Sequence, residues 1–246
     1  MLPIVPVVVM AATAAWYVRS LKAERAAWGP FRSLAIGMVL AALLAGALDA
    51  ASSSRTNFTA YALQQILVGL AAPLFLLLAG FRLPRPATVN PAVAGILHAA
   101  SLFGLYFTGF YGTSVRDPAV LQAVYLMWLG TGLLFWLPVI TTRLGFWPRI
   151  LYLLLAFPLW AVFGMALESE TTTIAAGVTL SDLHLGAAIL WVAGEALALL
   201  GALAVFVLWL DDDERRVRRH DQASEEAAAR QLALWRAARD AAARAS

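Results

Sequence analysis

Seven long apolar stretches follow one another along this chain, with only short polar breaks between them. A helix needs about 20 apolar residues to cross a bilayer core, with a range of roughly 17–25. The segments that meet this are Leu2–Val18, Ser33–Ala51, Phe58–Gly80, Val89–Tyr111, Ala119–Ile140, Ile150–Leu167 and Leu183–Leu210. Hydrophobic residues make up 61% of the 246 positions and charged residues 13%. Soluble domains run at about 45–50% and 25%. The expected fold is therefore all-α: a polytopic membrane protein with a bundle of seven transmembrane helices over residues 1–212. Residues 213–246 form a charged cytoplasmic helical tail.

The first segment is not read as a cleaved signal peptide. Such a peptide carries its positive charge ahead of the apolar stretch. Here Arg19, Lys22 and Arg25 follow it and nothing basic precedes it. With the N-terminus outside, 16 of the 18 basic residues fall in cytoplasmic segments, and only Arg55 and Arg116 lie opposite. Cytoplasmic loops carry such an excess of Lys and Arg. The expected topology is N-terminus outside and C-terminus in the cytoplasm. Asp49, Asp117, Glu168, Glu170 and Asp182 lean to the outer side, where they attract cations or are simply solvated.

Other classes fall away on composition. The basic residues sit between apolar runs and in the tail rather than in a groove with interleaved aromatics, so nucleic acid is not an expected partner. With no cysteine, disulfides, thiolate metal sites and cysteine nucleophiles are excluded. No hydrolase elbow, zinc-protease motif or phosphate-cradling glycine loop stands at a suitable position, so a non-enzymatic role is expected. No internal repeat is visible, which argues against a transporter built from inverted repeats.

The turn Leu83-Pro84-Arg85-Pro86 suits a non-helical connector, because neither proline has a backbone donor. Pro73, Pro138 and Pro158 lie within apolar segments, where neighbouring helices can satisfy the carbonyls they free. In the tail, Ser224 is suited to cap a final helix, with Glu225 and Glu226 in its first turn. Leu232 and Trp235 form a thin apolar stripe, which rests on the inner leaflet or on a partner, or belongs to a simply solvated tail.

Polar residues inside a spanning helix are costly and point to function by default. Tyr61, Gln64 and Gln65 share one face of the third segment, near its outer end. Gln122 and Tyr125, three apart in the fifth segment, also share a face. Asp182 is placed to cap the seventh helix, and His184 lies beside it, whereas His98 is mid-way along the fourth. The outer-face cluster is thus Tyr61, Gln64, Gln65, Gln122, Tyr125, Asp182 and His184. It reads either as a metal site or as interhelical hydrogen bonding. Tyrosine and glutamine are poor ligands for copper or zinc, so the second reading is favoured. Met127 and Met165 are soft donors for Cu(I), but methionine in a helix is commonly packing. Glu195, about 20 Å along the helix from Asp182 at 1.5 Å per residue, is an intramembrane carboxyl. It is expected to be protonated or paired, serving a proton relay or an internal hydrogen bond.

Four stretches carry a family resemblance. They are FTAYALQQILVGLAAPLFLLLAG from Phe58, DPAVLQAVYLMWLGTGLLFWLPVI from Asp117, SDLHLGAAILWVAGE from Ser181, and the exit from Trp209 into an acidic and arginine-rich tail. In these the chain resembles the cytochrome c oxidase assembly factors of the caa3 type, the CtaG family. The resemblance implies a seven-helix fold in the bacterial cytoplasmic (inner) membrane and a role in maturing the copper centres of haem–copper oxidases. It implies oxidase subunits as partners and copper as the metal handled. The family's third-helix histidines are replaced here by Tyr61 and Gln65, and corresponding fifth-helix places hold Tyr125 and Met127. Gln64 and Asp182 are retained, and His184 is new. Three functions stay open: an oxidase assembly factor with a degenerate metal site, an accessory subunit of a respiratory or other membrane complex, and a small-molecule or ion transporter suggested by Glu195.

Overall fold

The computed structural model describes residues 4–23, 29–52, 57–81, 89–140 and 144–245. Arg25, Arg55, Arg82, Arg85, Arg143 and the turn at residues 83–86 lie outside the described residues, as do the side chains of Asp49, Leu232 and Trp235. The described elements are helical throughout. They are α1 (Ile4–Ala23), α2 (Pro30–Ser52), α3 (Phe58–Gln64), a π segment (Gln65–Ala71), α4 (Ala72–Leu78), α5 (Pro91–Phe107), α6 (Phe110–Arg116), α7 (Pro118–Ile140), α8 (Phe146–Glu168) and α9 (Leu180–Ala245).

Among the described residues, six helical stretches are long and apolar enough to cross a membrane, with α3, the π segment and α4 counting as one. The pair α5 and α6 makes a seventh if taken as a single broken span. The all-α polytopic architecture is therefore as expected, with one correction. The fourth span does not run straight from Val89 to Tyr111. It stops at Phe107 and turns by 72° into α6. Gly109 sits at the corner with φ +76°, a left-handed conformation that costs little without a Cβ.

The third span changes register in the middle. Ala72 N–H bonds the Leu67 carbonyl five residues back, the hydrogen bonding of a π-helix. Pro73 supplies the cause, since it has no N–H for the Gly69 carbonyl four residues earlier. That carbonyl faces Gly132 of α7 so closely that a Cβ there would collide with it. The indole Nε1 of Trp136 donates to the next carbonyl, Leu70, at 3.0 Å. Small residues that let backbones approach are a main source of cohesion where lipid removes the hydrophobic drive.

The same device recurs on α9, where Gly186 meets Phe58 and Gly194 meets Trp160. Around these contacts Phe58, Tyr111, Tyr125, Trp136 and Trp160 are fully buried, forming an aromatic interior. Two compact units are distinguished by contacts, Met1–Leu203 and Ala204–Ser246.

Ser224 does not begin a new helix. It lies inside α9, with its hydroxyl donating to the Asp221 carbonyl at 2.8 Å. No glycine or proline occurs between Ala202 and Ala245 to stop the helix. The pairs Asp211–Arg215 and Glu214–Arg218, both at 2.7 Å, link successive turns instead.

Candidate functional site

The polar residues of α3 and the start of the π segment each reach a different neighbour. Tyr61, Gln64 and Gln65 are all buried, as their shared face implies. The Tyr61 hydroxyl lies 2.9 Å from the Ser114 hydroxyl in α6. The Tyr125 hydroxyl of α7 donates to Gln64 Oε1 at 2.6 Å. The Tyr106 hydroxyl of α5 donates to Gln65 Oε1. Three helices are thereby tied to one face of the third span by buried groups that would cost free energy if left unpaired.

Aromatic rings close the spaces between these bonds. Tyr61 packs edge-on to Tyr111 at 4.8 Å and to Trp128 at 5.0 Å between centroids. Phe58 meets Tyr106 at 5.5 Å and Tyr111 at 5.3 Å. Tyr106, Tyr111 and Ser114 were not singled out from the sequence. On one straight helix Tyr106 and Tyr111 would point about 140° apart at 3.6 residues per turn. The corner at Gly109 brings both onto Phe58. The glycine between two tyrosines was the signal available.

Asp182 is a cap, but not for its own helix. Thr179 caps α9, its hydroxyl accepting from Asp182 N–H at 3.2 Å. The Asp182 carboxylate instead reaches α3. It accepts from Phe58 N–H at 2.6 Å, Thr59 N–H at 3.1 Å and the Thr59 hydroxyl at 2.6 Å. Anionic acceptors at a helix N-terminus satisfy orphan donors and complement the dipole. Gln122, a neutral amide, meets an orphan donor at the start of α1, its Oε1 accepting from Val5 N–H at 2.9 Å. It therefore stands apart from Tyr125. His184 Nε2 lies 3.1 Å from the Glu170 carbonyl, tying the start of α9 to the segment after α8. The predicted cluster thus resolves into a buried core (Tyr61, Gln64, Gln65, Tyr125), two caps supplied by other helices (Asp182, Gln122) and a loop tie (His184).

Glu195 is half-buried and accepts from Trp191 Nε1 at 2.7 Å, one turn earlier on the same helix. Met165 is half exposed on the apolar exterior, and Met127 is partly buried. Among the described residues no three histidine, cysteine or acidic side chains come together. The core cluster offers hydroxyl and amide groups bonded to one another, a poor fit for Cu(I), which favours thiolate, thioether and imidazole.

The family described as cytochrome c oxidase caa3 assembly factor (Caa3_CtaG) matches residues 11–212. An uncharacterised protein of Mycobacterium bovis is 28% identical over 149 residues, covering 54% of this chain and 22% of that protein. One of Mycobacterium leprae is 30% identical over 149 residues, covering 54% of this chain and 23% of its own length. The chain therefore matches less than a quarter of the length of these relatives. No solved structure matches.

Proposed function

We propose, since this chain belongs to the cytochrome c oxidase caa3 assembly factor family, that it serves the maturation of a haem–copper oxidase in the membrane without itself lodging copper in the α3–α7 cluster. The observation that supports this is the Tyr125–Gln64 hydrogen bond, with its neighbours Tyr106–Gln65 and Tyr61–Ser114. Tyr61, Gln65 and Tyr125, which the resemblance places where the family has histidines, are here engaged in joining helices. A fixed, buried hydrogen-bonded network specifies one arrangement of helices. On this reading the bundle holds an oxidase subunit while its copper centre is completed. The bacterial inner membrane is the setting, with the N-terminus outside, the side from which the α3 N-terminal end is reached.

The test is deletion of the gene, followed by oxidase activity and copper content of isolated membranes. Lowered oxidase copper, restored by the intact gene, is the expected result. Normal copper and activity in the deletion would remove the reading. The same network supports a second reading, a permanent accessory subunit of the complex. Mild-detergent purification separates the two: fixed stoichiometry with the mature oxidase favours the subunit, and association only with immature forms favours the assembly factor.

A further inference from the structure

A thin cleft lies beside the π segment, lined by Gln65, Gly69, His98, Ser101, Trp128 and Thr131. It sits mid-way along α5, at the depth where a bilayer offers no solvent to a polar group. His98 is 3% exposed and Trp128 2% exposed. Neither His98 ring nitrogen, nor the indole Nε1 of Trp128, has a hydrogen-bond partner among the described residues. The imidazole lies against the rings of Phe135 at 4.7 Å and Trp160 at 5.6 Å between centroids.

The hydroxyls beside His98 are partly committed. Ser101 Oγ donates to the His98 carbonyl at 2.7 Å, and lies 3.3 Å from Thr131 Oγ1. Thr131 Oγ1 donates to the Met127 carbonyl at 2.8 Å. Each hydroxyl oxygen retains acceptor capacity toward the cleft. Gln65, anchored by Tyr106, joins the cleft to the Tyr–Gln cluster.

We infer that this cleft is a mid-span hydration site, taking water or another small neutral molecule that both donates and accepts hydrogen bonds. A neutral imidazole presents one donor and one acceptor, and an indole presents one donor. Water, which both donates and accepts, can answer each of them. Three buried nitrogens left unmatched would each cost free energy that a bridging water removes. The cleft is thinner than a water molecule throughout. Entry thus requires a slight parting of α5 from α7, and occupancy is coupled to the separation of these helices. The inference is independent of any role in oxidase assembly.

X-ray radiolytic footprinting of the purified protein in detergent tests it, because hydroxyl radicals formed from bound water oxidise the side chains that touch it. Trp136, equally buried on α7 but with its indole donating to Leu70, is the internal reference. Trp128 is expected to be oxidised several-fold faster than Trp136. Equal, slow oxidation of the two would overturn the proposal. His98→Phe removes both ring nitrogens and is expected to slow Trp128 oxidation while His98→Gln preserves it. If His98→Phe does not fold, the Trp128-to-Trp136 ratio in the unsubstituted protein still decides.

Discussion

Asp182, at the start of α9, caps the start of α3 through a 2.6 Å hydrogen bond from the Phe58 amide. The residues are 124 positions apart in the chain, so this cap is tertiary and fastens the seventh span to the third.

Replacing Asp182 by Ala removes the acceptor for Phe58 and Thr59 together. Loss of about 1–3 kcal/mol is expected, the scale of hydrogen bonds to a charged group and of N-caps. Denaturant unfolding in detergent measures it. Asp182→Asn should recover part of the loss, since its side-chain oxygen can still accept, whereas loss of the neutral Thr179→Ala cap should cost less than Asp182→Ala.

Tyr125→Phe leaves Gln64 without its phenolic donor inside the bundle. The expected cost is about 0.5–2 kcal/mol, the range for hydrogen bonds between membrane helices. Adding Gln64→Leu should then cost less than it does alone, and a double-mutant cycle on unfolding free energies reads the coupling. Strict additivity would show that the bond contributes nothing.

Gly132 and Gly130 lie two residues apart on α7 but face different surroundings. A methyl at Gly132 collides with the Gly69 carbonyl, while one at Gly130 meets nothing within 4 Å. Gly132→Ala is expected to abolish a monodisperse, folded product on gel filtration. Gly130→Ala should leave it intact, or slightly stabilise α7 through better helix propensity.

At the corner between α5 and α6, Gly109→Ala forces a Cβ into left-handed backbone. A cost of about 1–2 kcal/mol is expected. Limited proteolysis should cut faster near residues 108–117 in this variant. Gly104→Ala, on the straight part of α5 with open space around it, is the matched control.

Glu195→Gln keeps an oxygen for Trp191 Nε1, so its stability should stay within about 0.5 kcal/mol of the parent protein. Glu195→Leu strands the indole donor and should cost more in the same unfolding assay.

The spans were readable because bilayer thickness fixes helix length, which composition reports directly. The inward face of Tyr61, Gln64 and Gln65 was readable because helical period alone places the three together. What the sequence did not disclose were relations set by distant approach. Asp182 carried the chemistry of a cap, but whether it turns to its own helix or to α3 depends on a neighbour brought in from the far part of the chain. Tyr106, Tyr111 and Ser114 joined the cluster only through the corner at Gly109, which breaks the straight span that period and hydropathy describe. Gln122 and Tyr125 share a helical face by spacing, yet one serves α1 and the other Gln64, because two different neighbours pack against α7.

The π segment makes the interior sensitive to how one turn is wound. A π-helical turn accommodates one residue more than α-helical winding does. Rewinding the same residues as regular α-helix would turn everything before the segment by about 100° relative to α4. Tyr61 and Gln64 would swing away from Ser114 and Tyr125 toward lipid, although neither residue had been altered. The wide winding of this one turn acts as a spacer that aims the polar face, and a one-residue deletion within α4 should do more damage than one between Gln65 and Ala71, where the span rewinds as α-helix with its flanks still in register.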